Sequence, residues 1–159
     1  ILMAISNKFG WMVLSTGNKT EVALGYCTLY GDMSGGLSVI SDLSKIDVYS
    51  LSKWINNNIS QQIPENTINK APSAELAENQ IDPFDYHLIS PLVDDIIERR
   101  KSPKELIETG LDEKLVYDVY NRIMMHEYKR RQSAPGLRLK PKAFGMGRRF
   151  PIINQFNLK

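Results

Sequence analysis

The sequence predicts an α/β fold with a mostly parallel sheet, because one pattern occurs twice near its start. In each occurrence a short apolar run is followed by a polar turn and then by a segment with helical spacing. Residues 11–14 ("WMVL") and 36–40 ("GLSVI") are the strands, and the segments after Asn18 and after Ser44 are the helices. Ligands of such folds gather at the carboxyl ends of the strands, which makes the turn at residues 15–18 a candidate site.

The first run is bounded by Gly10 and by the turn signal Ser15-Thr16-Gly17-Asn18, so it reads as a buried strand. Glu21 falls in the first turn of the next helix, where the macrodipole favours a carboxylate, and Val22, Ala23, Leu24 and Tyr26 follow. Gly31 and the pair Gly35-Gly36 break that helix. Ser44 with Asp47 three positions on forms a capping arrangement for a helix through Ile46, Tyr49, Leu51, Trp54 and Ile55. Residues 56–85 are polar and carry three prolines, which predicts a long loop with at most short helical turns.

The last third reads as helical. A helix over 91–100 takes Ser90 as its cap, and Ser102, Pro103 and Glu105 compose a capping box with proline at the first helical position. Gly110 closes that short helix. Asp112 caps what reads as the longest helix, in which Leu115, Val116, Val119, Tyr120, Ile123 and Met124 recur on one core-facing stripe.

At 159 residues the chain is the size of one domain and needs neither metal nor disulfide to bury a core. No apolar run is long enough to cross a bilayer, so no membrane partner is expected. The single Cys27 cannot pair within the chain, which fits a reducing cytoplasm, and it reads as a small core residue. The opening "ILMAISNKFG" has neither an initiator Met nor a charged leader, so the chain reads as a fragment with an internal start. The net charge of +2 hides an asymmetry: no acidic residue follows Glu127, while Lys129, Arg130, Arg131, Arg138, Lys140, Lys142, Arg148, Arg149 and Lys159 are basic. With Tyr128, Phe144 and Phe150 interleaved, this tail fits either a nucleic-acid-binding module or packing on another surface.

Residues 16–21 offer a hydroxyl, an amide, an amine and a carboxylate at a helix amino end, a place suited to anions. A well-capped helix with Lys19 and Glu21 solvated explains the same residues equally well. Asp32, in "LYGDMSGG", either contacts a ligand ribose or amide or forms an Asx turn. Lys70, in "NKAPSAEL", is placed for a phosphate or is a solvated loop lysine. No Walker motif, no nucleophile elbow and no His/Cys metal spacing occurs, and Asp94 and Asp95 point apart on their helix.

Taken together, "STGNKTE", "LYGDMSGG", "KAPSAEL" and "EYKRRQSAPGLRLKPKAFGMGRRFPI" resemble the synthetase domain of glutamine-dependent NAD synthetases, in the same order and over residues 1–152. The resemblance implies a Rossmann-like, adenine-nucleotide-binding ATP-pyrophosphatase fold, of which residues 1–159 are the carboxyl-terminal part. The family's SGG-x-DS phosphate loop and its nitrilase-like glutaminase domain would lie upstream. The implied reaction is adenylation of deamido-NAD by ATP with magnesium, then displacement of AMP by ammonia drawn from glutamine.

The resemblance also implies roles by motif. Thr16 and Lys70 would contact ATP, Glu21 deamido-NAD or the metal-bound phosphates, and Asp32 and Lys129 deamido-NAD, with no catalytic nucleophile. It implies a dimeric homo-oligomeric core in the cytoplasm and no nucleic-acid partner. Thr20 and Met146 depart from the family pattern, where serine and an acidic or polar residue, respectively, are more usual.

Overall fold

Two short strands lie parallel in the computed structural model, which describes residues 1–145 and 147–153. β1 (Leu14–Ser15) pairs with β2 (Leu37–Ser38) in the register Leu14↔Leu37, Ser15↔Ser38, and the Gly36 amide donates to the Val13 carbonyl at 2.8 Å. Gly35 is required here because a Cβ on it would stand 3.0 Å from the Val13 oxygen and the Ser15 nitrogen. A parallel bridge from Ser38 to Gly136 adds a third segment on the other edge of β2. The predicted α/β class with a parallel sheet is what forms.

The strands are shorter than the apolar runs suggested, and the first is not buried. Trp11, Met12 and Leu14 are 65%, 68% and 52% exposed, and helix α1 (Leu2–Phe9) buries no residue. Trp11 stacks on Phe9 of α1, but these side chains stay largely exposed, so apolarity alone misjudged their burial.

Helix α2 (Lys19–Leu24) ends earlier than predicted, since Gly25 takes the left-handed conformation at φ 66° and terminates it six residues before Gly31. Helix α3 (Lys45–Asn58) carries the predicted capping box: the Ser44 hydroxyl accepts from the Asp47 amide and Asp47 accepts from the Ser44 amide. At 14 residues it, and not the helix after Asp112, is the longest. The loop that follows contains one short helix, α4 (Glu65–Asn69).

Helix α5 (Tyr86–Ile97) corrects the prediction of a Ser90 cap. Asp85 caps it, and Pro91 lies inside it, because the buried face that drives folding begins at Tyr86 and Ile89. Ser90 is buried instead, its hydroxyl 3.0 Å from that of Thr20. Helices α6 (Pro103–Glu108) and α7 (Glu113–Met125) start at Ser102 and Asp112 as predicted, and α8 (Glu127–Arg130) follows.

One core joins Ala23 and Leu24 of α2, Ile89, Leu92, Val93, Ile96 and Ile97 of α5, Leu106 of α6, and Val116, Val119 and Ile123 of α7. Each of these valine, leucine and isoleucine side chains contributes roughly 1.5–3 kcal/mol when fully buried. The polar seam between α2 and α5 is as buried as the core. Lys19 is 0% exposed, and its ammonium donates to Asp94 at 2.7 Å and to Glu98. Its amide donates to the Leu43 carbonyl at 2.7 Å, and Thr20 Oγ1 accepts from the Lys45 amide at 3.2 Å. Lys19 is therefore a structural ion, not the solvated lysine of a simple cap.

Replacing it, as Lys19→Met, leaves Asp94 and Glu98 without their shared cation and should cost about 3 kcal/mol in urea unfolding, seen as a lower midpoint at unchanged slope. A second expectation concerns acid. Burial pushes the Asp47 carboxyl up, but hydrogen bonds from Lys140 and Ser44 outweigh it and hold the group below the usual carboxylate range. Its contribution is therefore complete at neutral pH and is lost only as pH falls through that depressed range. Asp47→Asn should flatten the acid limb of a stability–pH curve.

Candidate functional site

The turn at residues 15–18 lies at the carboxyl end of β1 and opens α2. Asn18 caps the helix: its Oδ1 accepts from the Glu21 amide, and Glu21 Oε2 accepts from the Asn18 amide, both at 3.1 Å. With the Lys19 amide committed to Leu43, the donors expected to hold an anion are largely engaged within the protein. The capping reading is thus the structural state of this turn. Thr16 stands exposed beside it.

Glu21 also has a cation. Its Oε1 accepts from Lys45 Nζ at 3.0 Å, and that ammonium stands 5.3 Å from the Tyr86 ring centre and 6.0 Å from that of Tyr49. The sequence reading passed over Lys45, although the capping box it recognised at Ser44 places the next side chain on α3's first turn. Lys45 and Lys70 line a common cavity of about 270 Å³ with Tyr49 and Ser73. Lys70 itself is exposed and paired with Glu75 of its own loop. The structure therefore brings Glu21, Lys45 and Lys70 into one neighbourhood.

Asp32 belongs to a second cleft of about 280 Å³, which it lines with Ser15, Gly17, Asp42, Arg130 and the segment 133–137. Its Oδ1 accepts from the Thr28 amide at 2.6 Å, and its carbonyl accepts from the Ser15 hydroxyl at 3.0 Å. The turn fixes the carboxylate at the cleft rim.

Lys129 is placed behind that turn, its ammonium donating to the Gly25 and Cys27 carbonyls at 2.7 Å each. These are carbonyls at the carboxyl end of α2, where a cation is favoured. The Cys27 thiol is pushed up to about 11, first by burial, so it holds no thiolate at neutral pH. His126 accompanies Gly25, and burial holds its imidazole below its ordinary value. The neutral ring bonds the Arg122 carbonyl through Nδ1 at 2.8 Å.

The basic tail folds back on its own chain. Arg130, 6% exposed, bonds Glu127 at 3.0 Å and the Ala23 carbonyl at 3.0 Å, and its guanidinium lies over Phe144 and Phe150. Arg131 shares Glu127, and Lys140 bonds Asp47 at 2.7 Å. Charges spent this way are not presented to a polyanion, and a nucleic-acid module is not favoured. Lys159, and Met146 among the departures from the family pattern, lie outside the described residues. The other departure, Thr20, is accommodated by its bonds to Ser90 and Lys45.

Among the described residues no group of three or more His, Cys, Asp or Glu is placed to hold a metal ion, and no helix is long and apolar enough to cross a membrane. The site offers carboxylates, ammonium groups and hydroxyls around two neighbouring cavities. Such a set binds and orients a charged substrate rather than attacking it.

A Cβ at Gly25 would overlap the His126 ring, and the φ there disfavours any side chain. Gly25→Ala should destabilise the protein by about 2 kcal/mol and loosen the turn that Lys129 holds, measured by thermal unfolding and by faster amide exchange at residues 25–28.

The family model described as NAD synthase matches residues 1–133. The glutamine-dependent NAD(+) synthetase of Synechocystis sp. is 44% identical over 160 residues, covering 99% of this chain and 28% of that protein. That of Thermotoga maritima is 46% identical over 159 residues, covering 98% of this chain and 28% of that protein. The crystal structure of a glutamine-dependent NAD(+) synthetase from Cytophaga hutchinsonii shares the fold, with a TM-score of 0.70 at 22% identity over 97% of this chain and 26% of that one. The chain thus spans little more than a quarter of the length of these relatives.

Proposed function

The chain belongs to the NAD synthase family, and from that we propose that it forms the carboxyl-terminal part of a synthetase domain that converts deamido-NAD to NAD. In the proposed reaction the nicotinate carboxylate attacks the α-phosphorus of ATP and releases pyrophosphate, and ammonia then displaces AMP. Adenylation turns a poor leaving oxygen into a good one, so the protein's task is positioning and charge stabilisation. The observation that supports this most is the identity of 44–46% to full-length glutamine-dependent synthetases across almost the whole chain.

The residue roles are those the motifs imply, and the positions of the side chains are compatible with them. Thr16, exposed at the strand end, contacts ATP, and Lys70, sharing a cavity with Lys45, reaches an ATP phosphate. Asp32 contacts the dinucleotide from the cleft rim, and Glu21, paired with Lys45, serves deamido-NAD or the metal-bound phosphates. A magnesium ion bound chiefly by phosphates and water needs only one or two protein carboxylates, and Glu21 fits that need if Lys45 yields its Oε1. Bound magnesium would neutralise phosphate charge. Lys129 serves deamido-NAD by releasing at least one of the two carbonyls it holds.

Glutamine supplies the ammonia through an upstream glutaminase domain of the same chain, and the core assembles as a dimer in the cytoplasm. Residues 1–159 alone lack the SGG-x-DS phosphate loop and are inactive.

The full-length protein should turn deamido-NAD, ATP and glutamine into NAD, AMP and pyrophosphate, read by chromatography; ADP and phosphate as products would overturn the adenylation route. Within it, Glu21→Gln should lower kcat/KM for deamido-NAD on the order of 100-fold. Thr16→Ala should raise the KM for ATP about 10-fold, the loss of one hydrogen bond.

A further inference from the structure

Residues 133–145 form a strap across the Asp32 cleft, starting where the stretch matched by the family model ends, and supply much of one wall: Ser133 to Leu137 and Ala143 to Gly145 line it. Apolar packing holds this strap at its far end, where Phe144 lies against the core under the Arg130 guanidinium, but not in its middle. Leu137 and Leu139 are 43% and 56% exposed, and regular pairing with the sheet is confined to the Ser38–Gly136 bridge, where the Ser38 amide donates to the Pro135 carbonyl at 2.9 Å. What fixes it further along is one carboxylate. Asp42, 2% exposed just past β2, accepts from the Leu139 and Lys140 amides through the same oxygen, Oδ2, at 2.7 Å each.

The Lys140 side chain adds a second anchor, bonding Asp47 at 2.7 Å and Asp94 at 3.4 Å. Asp94 is also a partner of Lys19, so the strap is tied to the ion seam between α2 and α5. Asp42 makes this clasp at a cost: its Oδ1 is buried with no hydrogen-bond partner among the described residues. An asparagine would satisfy the same two amides through its side-chain carbonyl.

We propose that Asp42 is a positioning residue for the dinucleotide: although it lines the Asp32 cleft, it acts through Oδ2, clasping the strap of residues 133–145 into place as a wall of that cleft. The proposal rests on the functional reading above only for the identity of the substrate. Without the clasp the strap keeps its sheet bridge at one end and Phe144 under the Arg130 guanidinium at the other, but between them it is held only by the Lys140 side chain, so the cleft wall loses its fixed position while the Lys45–Lys70 cavity is untouched. The result is a selective loss of affinity for one of two substrates.

The test uses the full-length protein. Asp42→Ala should raise the KM for deamido-NAD at least 10-fold, with kcat and the KM for ATP within about 3-fold of wild type. Asp42→Asn, which keeps the two acceptor bonds, should restore the deamido-NAD KM. In the absence of any substrate, trypsin should cut after Arg138 faster in Asp42→Ala than in wild type or Asp42→Asn. If Asp42→Ala does not fold, Lys140→Met, which releases only the second anchor, decides the matter through faster trypsin cleavage after Arg138 and a KM rise for deamido-NAD of about 10-fold that the KM for ATP does not share.

An unchanged KM in Asp42→Ala overturns the proposal, as does an equal rise for ATP. So does an Asp42→Asn variant as impaired as the alanine, since the charge and not the clasp would then matter. A wild-type protein that makes no NAD would overturn the functional reading instead, and the clasp is then decided by the trypsin comparison alone.

Discussion

Lys19 carries a positive charge into a place with no solvent, and most of the site geometry follows from how that charge is met. Its partners, Asp94 in the last turn of α5 and Glu98 at its carboxyl cap, stand one turn apart, so a single ammonium fixes both the rotation of α5 and the depth at which α2 begins. Buried charges of this kind add little net stability but tolerate few alternative arrangements. Because α2 starts where Lys19 is pinned, Asn18 and Glu21 are set at the carboxyl end of β1, and the turn after Gly25 is set at the other end of the helix.

Lys45, at the first position of α3, meets Glu21 because the α3 amino end is bonded to Thr20, the residue after Lys19. Lys140, arriving from the strap, completes a chain of alternating charge from Asp47 through Asp94 back to Lys19. Lys129 and Arg130 do similar work at the far end of α2 by taking up its carbonyls. Side chains from α3, α5, α8 and the strap therefore meet at or beside a helix of only six residues, which sets the Asp32 cleft directly through Val22 and the Lys45–Lys70 cavity through the pairing of Glu21 with Lys45.

Functional and structural roles overlap in these residues. Glu21 is a capping residue, an ion-pair partner and a proposed ligand contact at once; Lys129 is a clamp on two carbonyls and a proposed substrate contact. A group held by weak bonds to its own chain keeps its orientation while free and exchanges those bonds for ligand bonds when filled, which limits the entropy lost on binding.

Local signals were legible in the amino-acid order. The boxes at Ser44–Asp47 and Ser102–Glu105 and the cap at Asp112 act over three residues, and each starts the helix it announces. The stripe through Val116, Val119 and Ile123 and the parallel pairing of two short strands were equally plain, and the motif order carried the family. What only the tertiary structure decided involves partners distant in sequence: Lys19 with Asp94, Glu21 with Lys45, Lys129 with the Gly25 carbonyl, Asp42 with the strap. Ser90 reads as a cap in isolation and is a buried bond to Thr20 in the fold; Trp11 reads as core and is exposed. Capping and periodicity are short-range and written in adjacent residues, whereas the partner of a charge, and whether an apolar face is covered, depend on which segments the folded chain brings together.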